Sequence, residues 1–575
     1  MVTILGISCH YHDAAASLIK DGRIIAAVAE ERFTRKKHDF GFPENAINFC
    51  LKTAGITSNN LDYVVFHEKP FVKFERLMMT ILGTYPQSST VFRESMLSWL
   101  KDKLWVKNTI AEKLRLKNTN KILFSDHHLS HAASAFLCSP FNESAIITAD
   151  AVGEWTTATI GYGKNNKINL LKELRFPHSF GLLYSAITAF LGFEVNEGEY
   201  KVMGLAPFGK PKHKDKIYKL INLCEDGSFS LNMKYFIYHR SIDKMFSKKF
   251  EQLFGKPCPP EDREKIIPYY ADIAASMQEV FEEMLIKTAN HAYELTKIKN
   301  LCFAGGVALN SKANYRILNE TPFEDLFIQP AAGDDGGSLG AALFVYYSLL
   351  ENSRDPTNSV LKNAYFGQEY TEKEIKDFLD SNKLKYQYFE NEGEFLDEVV
   401  KHLLNQEVVG WFQGRFEWGP RALGNRSIIA DPRNPEMKDV VNNKIKFREP
   451  FRPFAPSVLA EKAHDFFELP DVKDFYPIRF MVYVTPVKKN KQNIIPAVTH
   501  VDGTGRLQSV FKEDNPRYYS LIEKFEKKTG VPIILNTSFN LKGEPIVNTP
   551  QNAYDTFMRS GMDALVLEKF IITKT

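Results

Sequence analysis

Residues 4–29, ILGISCHYHDAAASLIKDGRIIAAVA, decide the fold of the N-terminal part of the chain. The apolar run at the start predicts a β-strand, and His10–Asp13 supplies a polar turn after it. Ala15–Lys20 and Arg23–Ala29 flank Asp21-Gly22, a dipeptide that favours a tight hairpin turn. The stretch therefore predicts a strand, a polar turn and a β-hairpin, in that order.

A similar layout returns later in the chain. Ser144–Thr148 is an apolar strand, Asp150–Glu154 is an acidic turn that contains glycine, and Thr156–Gly161 is a second strand. Gly163–Lys167 then turns the chain into Ile168–Leu171. Two units of this kind indicate an internal duplication. The residue identity between them is low, so the pattern alone leaves the duplication open.

Strand, glycine turn and helix follow one another in the rest of the N-terminal part. Asn300–Ala304 is an apolar strand that closes on Gly305-Gly306 and leads into a helix. This series predicts an α/β architecture. Residues 351–362, rich in Asn, Ser, Asp and Pro, predict a linker. We therefore expect one domain over residues 1–355 and a second over residues 363–575.

The composition excludes several classes of protein. Hydrophobic residues make up 44% of the 575 and charged residues 25%, which excludes a disordered or collagen-like chain. The formal net charge of +3 gives no reason to expect a polyanionic partner. The six cysteines form no CxxC pair, as is typical of reduced cytosolic thiols. With no signal peptide and no apolar run of the ~20 residues that span a bilayer, we expect a soluble, cytoplasmic protein.

Three histidines fall within five residues, at His127, His128 and His131. On a helix His127 and His131 would share one face, which suits two ligands of one metal ion. The alternative is a solvated helix start capped by Asp126. The HExxH helix of metalloproteases needs a Glu after its first His to activate water, and His128 occupies that position. The spacing therefore favours a metal site and disfavours a protease.

Two glycine turns are candidates for contact with a nucleotide. Asp334 and Asp335 lie on a glycine turn before a helix, where carboxylates either hold a cation beside a phosphate or cap the helix. Gly305 and Gly306 follow a strand and would permit close backbone approach. The chain has neither a Walker A sequence nor a Rossmann GxGxxG motif. Binding of ATP would therefore need another fold.

Basic side chains are concentrated in residues 410–455, which carry nine basic and five acidic residues. Arginine binds phosphate through two N–H groups and lysine supplies a point charge, so this band favours a phosphate-rich ligand. Nucleic acid and a solvated basic face are the alternatives. Further on, the predicted strand Pro532–Leu535 leads into hydroxyls and amides at residues 536–540. These form either the polar floor of a ligand site or an ordinary turn.

Long motifs in a fixed order cover almost the whole chain. They include ILGISCHYHDAAASLIKDGRIIAAVAEERFTRKKHD at residues 4–39, SDHHLSHAASAF at 125–136, AGGVALNSKAN at 304–314, QPAAGDDGGSLGAA at 329–342, WFQGRFEWGPRALGNRSIIADPR at 411–433 and LNTSFNLKGEPIV at 535–547. In this order they resemble the NodU/CmcH-type O-carbamoyltransferases that modify nodulation factors, cephamycins and aminoglycosides.

The resemblance implies a two-domain enzyme. The N-terminal part is similar to the catalytic subunit of the tRNA threonylcarbamoyl-transfer machinery, a duplicated actin-like ATPase (ASKHA) fold. The C-terminal part looks like a YrdC-like α/β domain, whose two signatures appear here as Lys446-Phe447-Arg448 and Ser538-Phe539-Asn540. The implied reaction makes carbamoyl adenylate from carbamoyl phosphate and ATP, with Mg²⁺, and then transfers the carbamoyl group to a hydroxyl.

The resemblance also implies the site residues. The metal ligands would be His127, His131, Asp150 and Asp334; the family suggests iron(II), and another divalent transition metal also suits this donor set. His12 would be the base that takes the proton of the acceptor hydroxyl, a task that fits its ordinary pKa of ~6.5. The residues implied to contact the nucleotide are Lys201, Gly305, Gly306 and Asn310. Those implied to neutralise or orient phosphate and carbamoyl groups are Arg421, Arg426, Lys446, Arg448, Arg506, Ser538 and Asn540.

The acceptor is not encoded in these motifs. We expect a small hydroxylated metabolite of natural-product, sugar or nucleoside type. Residues 71–118, which look helical, and 176–200 differ most from a minimal actin-like core and are expected to line its pocket. A tRNA-modifying enzyme is one alternative, disfavoured by the small net charge, and a non-enzymatic ATP-dependent interaction module is another. No membrane partner is expected, and a homodimer is compatible with the sequence.

Overall fold

The computed structural model describes residues 1–101, 103–472 and 474–574. The chain divides into two units, Met1–Glu30 with Phe40–Leu361 and Glu31–Asp39 with Lys362–Thr575. The sequence placed residues 31–39 within the first domain, whereas the structure assigns them to the second unit. That segment holds a short helix, α1 (Glu31–Thr34), and joins the second unit through Arg35, which donates to the carbonyls of Pro545 and Ile546.

The first unit opens with a five-stranded sheet. Its strands are β1 (Thr3–Ser8), β2 (Ala15–Lys20), β3 (Arg23–Ala29), β4 (Tyr63–Phe66) and β5 (Ile122–Phe124). Their spatial order is β3-β2-β1-β4-β5, with β1 antiparallel to β2 and parallel to β4. Asp21 and Gly22 adopt φ values of 49° and 77°, as the two central residues of a tight hairpin turn require. The predicted hairpin is confirmed.

A second five-stranded sheet repeats this arrangement. Its strands are β6 (Glu143–Ala149), β7 (Thr156–Lys164), β8 (Lys167–Arg175), β11 (Asn300–Ala304) and β12 (Asp325–Phe327), while β9 (Ile221–Leu223) and β10 (Phe229–Leu231) form a separate pair. The order is β12-β11-β6-β7-β8, with β6 antiparallel to β7 and parallel to β11. Strand order and direction match the first sheet throughout. The structure therefore confirms the predicted duplication, the α/β class and the two related halves of an actin-like fold.

Helices flank both sheets of the first unit. They are α2 (Glu44–Thr53), α3 (Pro70–Thr84), α4 (Ser89–Lys101), α5 (Val106–Lys113), α6 (His127–Phe136), α7 (Phe180–Phe190), α8 (Glu199–Leu205), α9 (Lys214–Tyr218), α10 (Lys248–Phe254), α11 (Pro268–Thr296), α12 (Ser311–Glu320), α13 (Asp334–Leu343) and α14 (Pro356–Ser359). The predicted helical segment 71–118 contains α4, α5 and all of α3 except its first residue, Pro70. In the part of the chain that the structure describes, no helix combines the length and apolarity needed to cross a membrane.

The second unit is built on one mixed sheet of eight strands. They are β13 (Gln387–Tyr388), β14 (Val409–Phe412), β15 (Arg426–Ala430), β16 (Ala455–Leu459), β19 (Gln508–Val510), β20 (Ile533–Ser538), β21 (Ala564–Leu567) and β22 (Phe570–Thr573); β17 (Thr485–Pro486) and β18 (Thr504–Gly505) pair separately. The helices are α15 (Glu372–Ser381), α16 (Glu392–Leu404), α17 (Met437–Val440), α18 (Ala463–Phe466), α19 (Pro516–Thr529) and α20 (Pro550–Met558). This unit is α/β, and its YrdC-like character stays a prediction.

One predicted strand boundary in this unit is wrong. The sequence ended the strand at Leu535, but β20 continues to Ser538, because residues 535–538 pair with β15 from Ala430 to Ser427. The backbone of residues 536–538 is therefore held by sheet hydrogen bonds, while Phe539 and Asn540 lie just beyond the strand.

Candidate active site

Two histidines and two carboxylates meet in the first unit. His127 and His131 lie one turn apart at the start of α6, Asp150 directly follows β6, and Asp334 is the first residue of α13. All four are buried, and one ligand atom from each lies within 4.8 Å of the other three. The structure thus brings together the whole predicted metal set from three separate segments of the chain.

Close packing holds this cluster in place. Helix α13 approaches α6 so closely that a Cβ on Gly340 would lie 1.9 Å from the carbonyl oxygen of Ser130, so only glycine fits there. The first turn of α6 is satisfied by a distant carboxylate: the amide of His127 donates to Glu154 at 3.1 Å. Asp126 precedes the helix, but its side chain makes no capping hydrogen bond. The alternative of an ordinary Asp cap is therefore not what the structure adopts.

The spacing of the four ligand atoms fits a single cation. Tetrahedral ligands about 2.0–2.1 Å from a metal ion lie about 3.3 Å from one another. The Nε2 atoms of His127 and His131 are 3.1 Å apart, and Oδ1 of Asp334 lies 3.5 and 3.4 Å from them. Oδ2 of Asp150 lies 3.4 and 3.9 Å from the same two nitrogens.

Buried atoms without hydrogen-bond partners also indicate a cation at this cluster. Both carboxylate oxygens of Asp334 are buried and accept no hydrogen bond within the described chain. Buried polar atoms without partners are costly, and a cation between the four side chains would satisfy them. Their two imidazole nitrogens and two carboxylate oxygens therefore fit a divalent transition metal ion.

Both carboxylates of the cluster are ionised at neutral pH. Burial alone would raise their pKa values, but the neighbouring His12 and His127 lower the pKa of Asp334 to about 2. The hydrogen bond to His127 and the charge of His131 hold the pKa of Asp150 well below its ordinary value. Ionised carboxylates are the form that binds a metal ion.

His12 stands beside the same cluster, on the turn after β1. Its Nδ1 bonds to Oδ2 of Asp13 at 2.8 Å, and its Nε2 lies 3.8 Å from Oδ2 of Asp334. Burial opposes protonation, but these two carboxylates raise the pKa of His12 to about 10, well above the value expected for the base. A cation on Asp334 would lower the pKa of His12, because it would neutralise the carboxylate whose charge contributes most to raising it.

Two further carboxylates, Glu68 and Glu154, adjoin the cluster, and the sequence did not identify them as site residues. Glu68 Oε2 lies 3.7 Å from Nδ1 of His127 and 2.5 Å from Nζ of Lys73. Glu154 caps α6 as described above. Glu68 lies 59 residues before His127 and Glu154 lies 27 residues after it, so only tertiary contacts bring them together. Their spacing in the sequence could not have identified them.

Of the predicted nucleotide residues, Gly306 lies beside Asp150 and Gly305 packs against Ala149, the residue before it. The amide of Gly306 donates to Oδ1 of Asp150 at 3.0 Å, and Gly305 has φ 92°, a conformation that favours glycine. Asn310 caps α12 by accepting from the amide of Ala313 and also bonds to Gln278. Lys201 lies on α8, which adjoins the start of α12 through a contact between Met203 and Ser311.

In the second unit the two short signatures meet. Nζ of Lys446 donates to the carbonyl oxygens of Ser538 and Asn540, at 2.6 and 2.9 Å, and to Oδ1 of Asn540 at 2.7 Å. Burial, and then the charges of Arg448 and Arg452, lower the pKa of Lys446 well below its ordinary value. An anion bound beside these basic groups would favour the protonated form of Lys446.

Further predicted arginines gather in the same unit. Burial, together with the charges of Arg421 and Arg452, lowers the pKa of Arg506 well below its ordinary value, so these three guanidinium groups are neighbours. Arg448 donates to Oδ1 of Asn442 at 2.8 Å. Like charges converge in this way where a polyanion is bound.

Arg426 is the exception among the predicted arginines. Its side chain is fully buried, and four of its N–H groups donate to the carbonyls of Gln413, Asn425, Gln368 and Gly414. Its guanidinium also lies 3.6 Å from the ring centroid of Phe412. Because its four Nη N–H groups are used within the protein, we infer a structural role for Arg426 in place of the predicted catalytic one.

Comparisons with known proteins identify relatives of this chain. Residues 3–343 match the family model described as carbamoyltransferase N-terminus, and residues 400–574 match carbamoyltransferase C-terminus. An uncharacterized protein of Synechocystis is 48% identical over 610 residues, covering 100% of this chain and 97% of its own. Nodulation protein NolNO of Sinorhizobium fredii is 37% identical over 580 residues, covering 98% of this chain and 79% of its own.

Among solved structures, component A of the (R)-2-hydroxyglutaryl-CoA dehydratase of Acidaminococcus fermentans matches with a TM-score of 0.35 and 15% identity. The match covers 61% of this chain and 100% of that protein.

Proposed function

We propose, from the premise that the chain belongs to the carbamoyltransferase family, that it is an ATP-dependent O-carbamoyltransferase acting on a hydroxyl of a small metabolite. Carbamoyl phosphate is the carbamoyl donor, and carbamoyl adenylate is the activated intermediate. Each unit of the chain carries one of the two half-reactions.

The first half-reaction belongs to the second unit. Carbamoyl phosphate and water give carbamate and phosphate; a carbamate oxygen then attacks the α-phosphorus of ATP, and pyrophosphate leaves. Apart from water, all of these species are anions, and Mg²⁺ accompanies ATP. The basic groups of this unit support the assignment, because fixed positive charge stabilises phosphoryl transfer. The charge of Arg452 lowers the pKa of both Lys446 and Arg506, and the charge of Arg421 lowers that of Arg506. Ser538 and Asn540, bonded to Lys446, are placed to orient the carbamate.

The second half-reaction belongs to the first unit. The acceptor oxygen attacks the carbonyl carbon of the adenylate, the bond from that carbon to the phosphate oxygen breaks, and AMP leaves. His12 takes the proton of the hydroxyl at Nε2, while Asp13 holds its Nδ1. His127, His131, Asp150 and Asp334 would hold the metal, which supplies positive charge for the phosphate of the leaving group.

A single observation carries the proposal: Nε2 of His12 lies 3.8 Å from the Asp334 carboxylate that also belongs to the metal cluster. The carboxylate of Asp334 therefore adjoins the proposed base for the incoming alcohol. It also belongs to the cluster that would hold the positive charge for the departing phosphate. Acyl transfer from an adenylate to an alcohol needs these two functions side by side.

The test is carbamoyl-phosphate-dependent release of pyrophosphate from ATP, followed by label transfer from [¹⁴C]carbamoyl phosphate. We expect pyrophosphate release without an acceptor, and label on a small alcohol from a panel of sugars, nucleosides and natural-product alcohols. Absence of pyrophosphate release would overturn the adenylate mechanism. Label on total tRNA instead of the small alcohols would overturn the assignment of the acceptor.

A further inference from the structure

Residues 31–39, the part of the second unit that comes from early in the chain, form a compact turn after β3. Glu31 holds the turn together: its carboxylate pairs with Arg32 at 2.7 Å and accepts from the amide of His38 at 2.9 Å. The amide of Arg35 donates to the carbonyl oxygen of Glu31 at 3.0 Å. The backbone of the segment is therefore fixed at the two positions that carry its arginines.

Arg32 contacts the turn that carries Arg421. Its side chain is buried, and one of its N–H groups donates to the carbonyl oxygen of Gly419 at 3.0 Å. Its guanidinium also lies 4.7 Å from the ring centroid of Phe416. Gly419 has φ 102°, a conformation that favours glycine, and it lies two residues before Arg421. Arg32 therefore holds the start of the turn from which Arg421 extends.

Arg35 contacts the loop that follows Asn540. Two of its N–H groups donate to the carbonyl oxygens of Pro545 and Ile546, at 2.7 and 2.6 Å. Within the same loop, the side-chain amide of Asn540 donates to the carbonyl oxygen of Glu544 at 2.6 Å. The two carbonyls that Arg35 holds directly follow the one that Asn540 contacts. Arg35 therefore restrains the loop against which Asn540 is oriented.

These two loops of the second unit pack against each other. Phe416 and Ala422 from the first loop and Ile546 from the second form one cluster of buried apolar side chains. Arg32 lies over the ring of Phe416, and Arg35 bonds to the carbonyl of Ile546. The segment thus contacts both loops where they meet.

The charge of the segment also acts on the signature lysine of this unit. Burial is the main cause of the lowered pKa of Lys446, followed by the charges of Arg448 and Arg452, and the charge of Lys37 adds to the effect. Lys37 lies two residues after Arg35 in the segment. The segment therefore contributes to the electrostatic environment of the proposed phosphate site.

We infer that residues 31–39 complete the adenylate-forming site of the second unit, with Arg32 and Arg35 as positioning residues. Arg32 fixes the turn that carries Arg421, and Arg35 fixes the loop that orients Asn540. Each acts through backbone carbonyls and not through contact with a substrate. The inference deepens the proposed function, on which it rests, because it assigns part of the first half-reaction to a segment that precedes most of the first unit in the chain.

The first test measures carbamoyl-phosphate-dependent pyrophosphate release by full-length variants. Arg35→Gln should lower kcat by about 10–10²-fold, because a misplacement of ~1 Å in a site costs up to about that much. Arg35→Lys should be as slow, since lysine keeps the charge but lacks the planar fork that holds two carbonyls. Full activity in Arg35→Lys would show that charge and not positioning acts there, and would overturn the inference.

Lys36→Gln is the matched control. Lys36 is the exposed neighbour of Arg35, so its replacement removes the same charge from the same segment. Its rate should stay within about twofold of the parent protein, because no loop of the site depends on it. A loss in Lys36→Gln as large as that in Arg35→Gln would overturn the assignment to Arg35.

Hydrogen exchange measured by mass spectrometry tests positioning without reference to activity. In Arg35→Gln the amides of residues 541–547 should exchange faster than in the parent protein, and in Arg32→Gln those of residues 419–425. Exchange in β1 to β5 should be unchanged, which shows that the fold is retained. Unchanged exchange at both loops would overturn the inference, as would an equal acceleration throughout the chain.

The two measurements distinguish failure of this inference from failure of the proposed function. If the parent protein releases no pyrophosphate, the proposed reaction is wrong, while hydrogen exchange still decides whether the two arginines hold these loops. If the parent protein is active and Arg35→Gln is equally active, the reaction stands and the inference is wrong.

Discussion

Nζ of Lys446 lies 2.7 Å from Oδ1 of Asn540, a residue 94 positions further along the chain. The ammonium is buried, and its hydrogen bonds within the described residues go to oxygens of Ser538 and Asn540. We predict that Lys446→Met lowers carbamoyl-phosphate-dependent pyrophosphate release by about 10²–10³-fold, because the proposed phosphate site loses a positive charge and Ser538 and Asn540 lose their shared donor.

The control for Lys446→Met is Lys444→Met, an exposed lysine two residues earlier. It removes the same charge from the same segment and should leave the rate within twofold. Comparable rates in the two variants would show that Lys446 does not act on the phosphoryl group. Circular dichroism would establish that both variants keep the fold.

The division of labour between the two units gives a second prediction. His12→Asn should reduce carbamoyl transfer by about 10²–10⁴-fold, because the acceptor hydroxyl loses its base. Pyrophosphate release should be unaffected, while Arg421→Ala should abolish both activities, because no adenylate is made. His464→Asn, an exposed histidine, serves as the control. Loss of pyrophosphate release in the His12 variant would contradict this assignment.

Metal content provides a third prediction. The protein should retain about one divalent transition metal per chain after dialysis, as measured by inductively coupled plasma mass spectrometry. His131→Ala removes one of four ligands and should lower that occupancy at least tenfold. Asp335→Asn, one residue from the proposed ligand Asp334, should keep the metal. Equal occupancy in the two variants would refute the ligand set.

Sequence patterns sufficed where local chemistry decides the structure. Asp21-Gly22 fixed the first hairpin, because few residues tolerate the positive φ of its turn. The spacing of His127 and His131 placed both on one face of a helix, because four residues complete about one turn. The family and the carbamoyltransferase activity implied by the motifs were confirmed by the family models.

Tertiary contacts account for what sequence reasoning missed. Glu154 and Glu68 reach His127 only through the folded chain. Arg426 lies in a band of basic residues and looked like a phosphate ligand, but its position on a central strand buries it among carbonyls. Neither outcome follows from spacing or charge, since both depend on which strands become neighbours.

The structural role of Arg426 gives a fourth prediction. Arg426→Met should lower the free energy of unfolding by about 3–5 kcal/mol, because buried carbonyls lose their donors. Thermal unfolding followed by near-ultraviolet circular dichroism would measure the loss. Arg559→Met, whose parent side chain is 56% exposed, should change it by less than about 0.5 kcal/mol. A variant of Arg426 that is stable yet inactive would instead favour a catalytic role.

A last prediction concerns the dependence of stability on pH. Asp325 lies on β12, and burial raises the pKa of its carboxyl to about 6. Because the folded state holds this proton more tightly than the unfolded chain, where the pKa is ~3.9, ionisation destabilises the fold as the pH rises through that window. Asp325→Asn should therefore stabilise the protein by about 1–2 kcal/mol at pH 7.5 and by almost nothing at pH 4.

Urea unfolding of Asp325→Asn at pH 4, 5, 6 and 7.5 tests this directly. The amide keeps the acceptor for the backbone N–H of Leu326, which Oδ1 of Asp325 accepts at 2.7 Å, so only the charge changes. Glu324→Gln, whose parent side chain is 64% exposed and paired with Lys299, is the neighbouring control and should show no such window. A stabilisation of equal size at every pH would mean that Asp325 acts through packing and not through its charge.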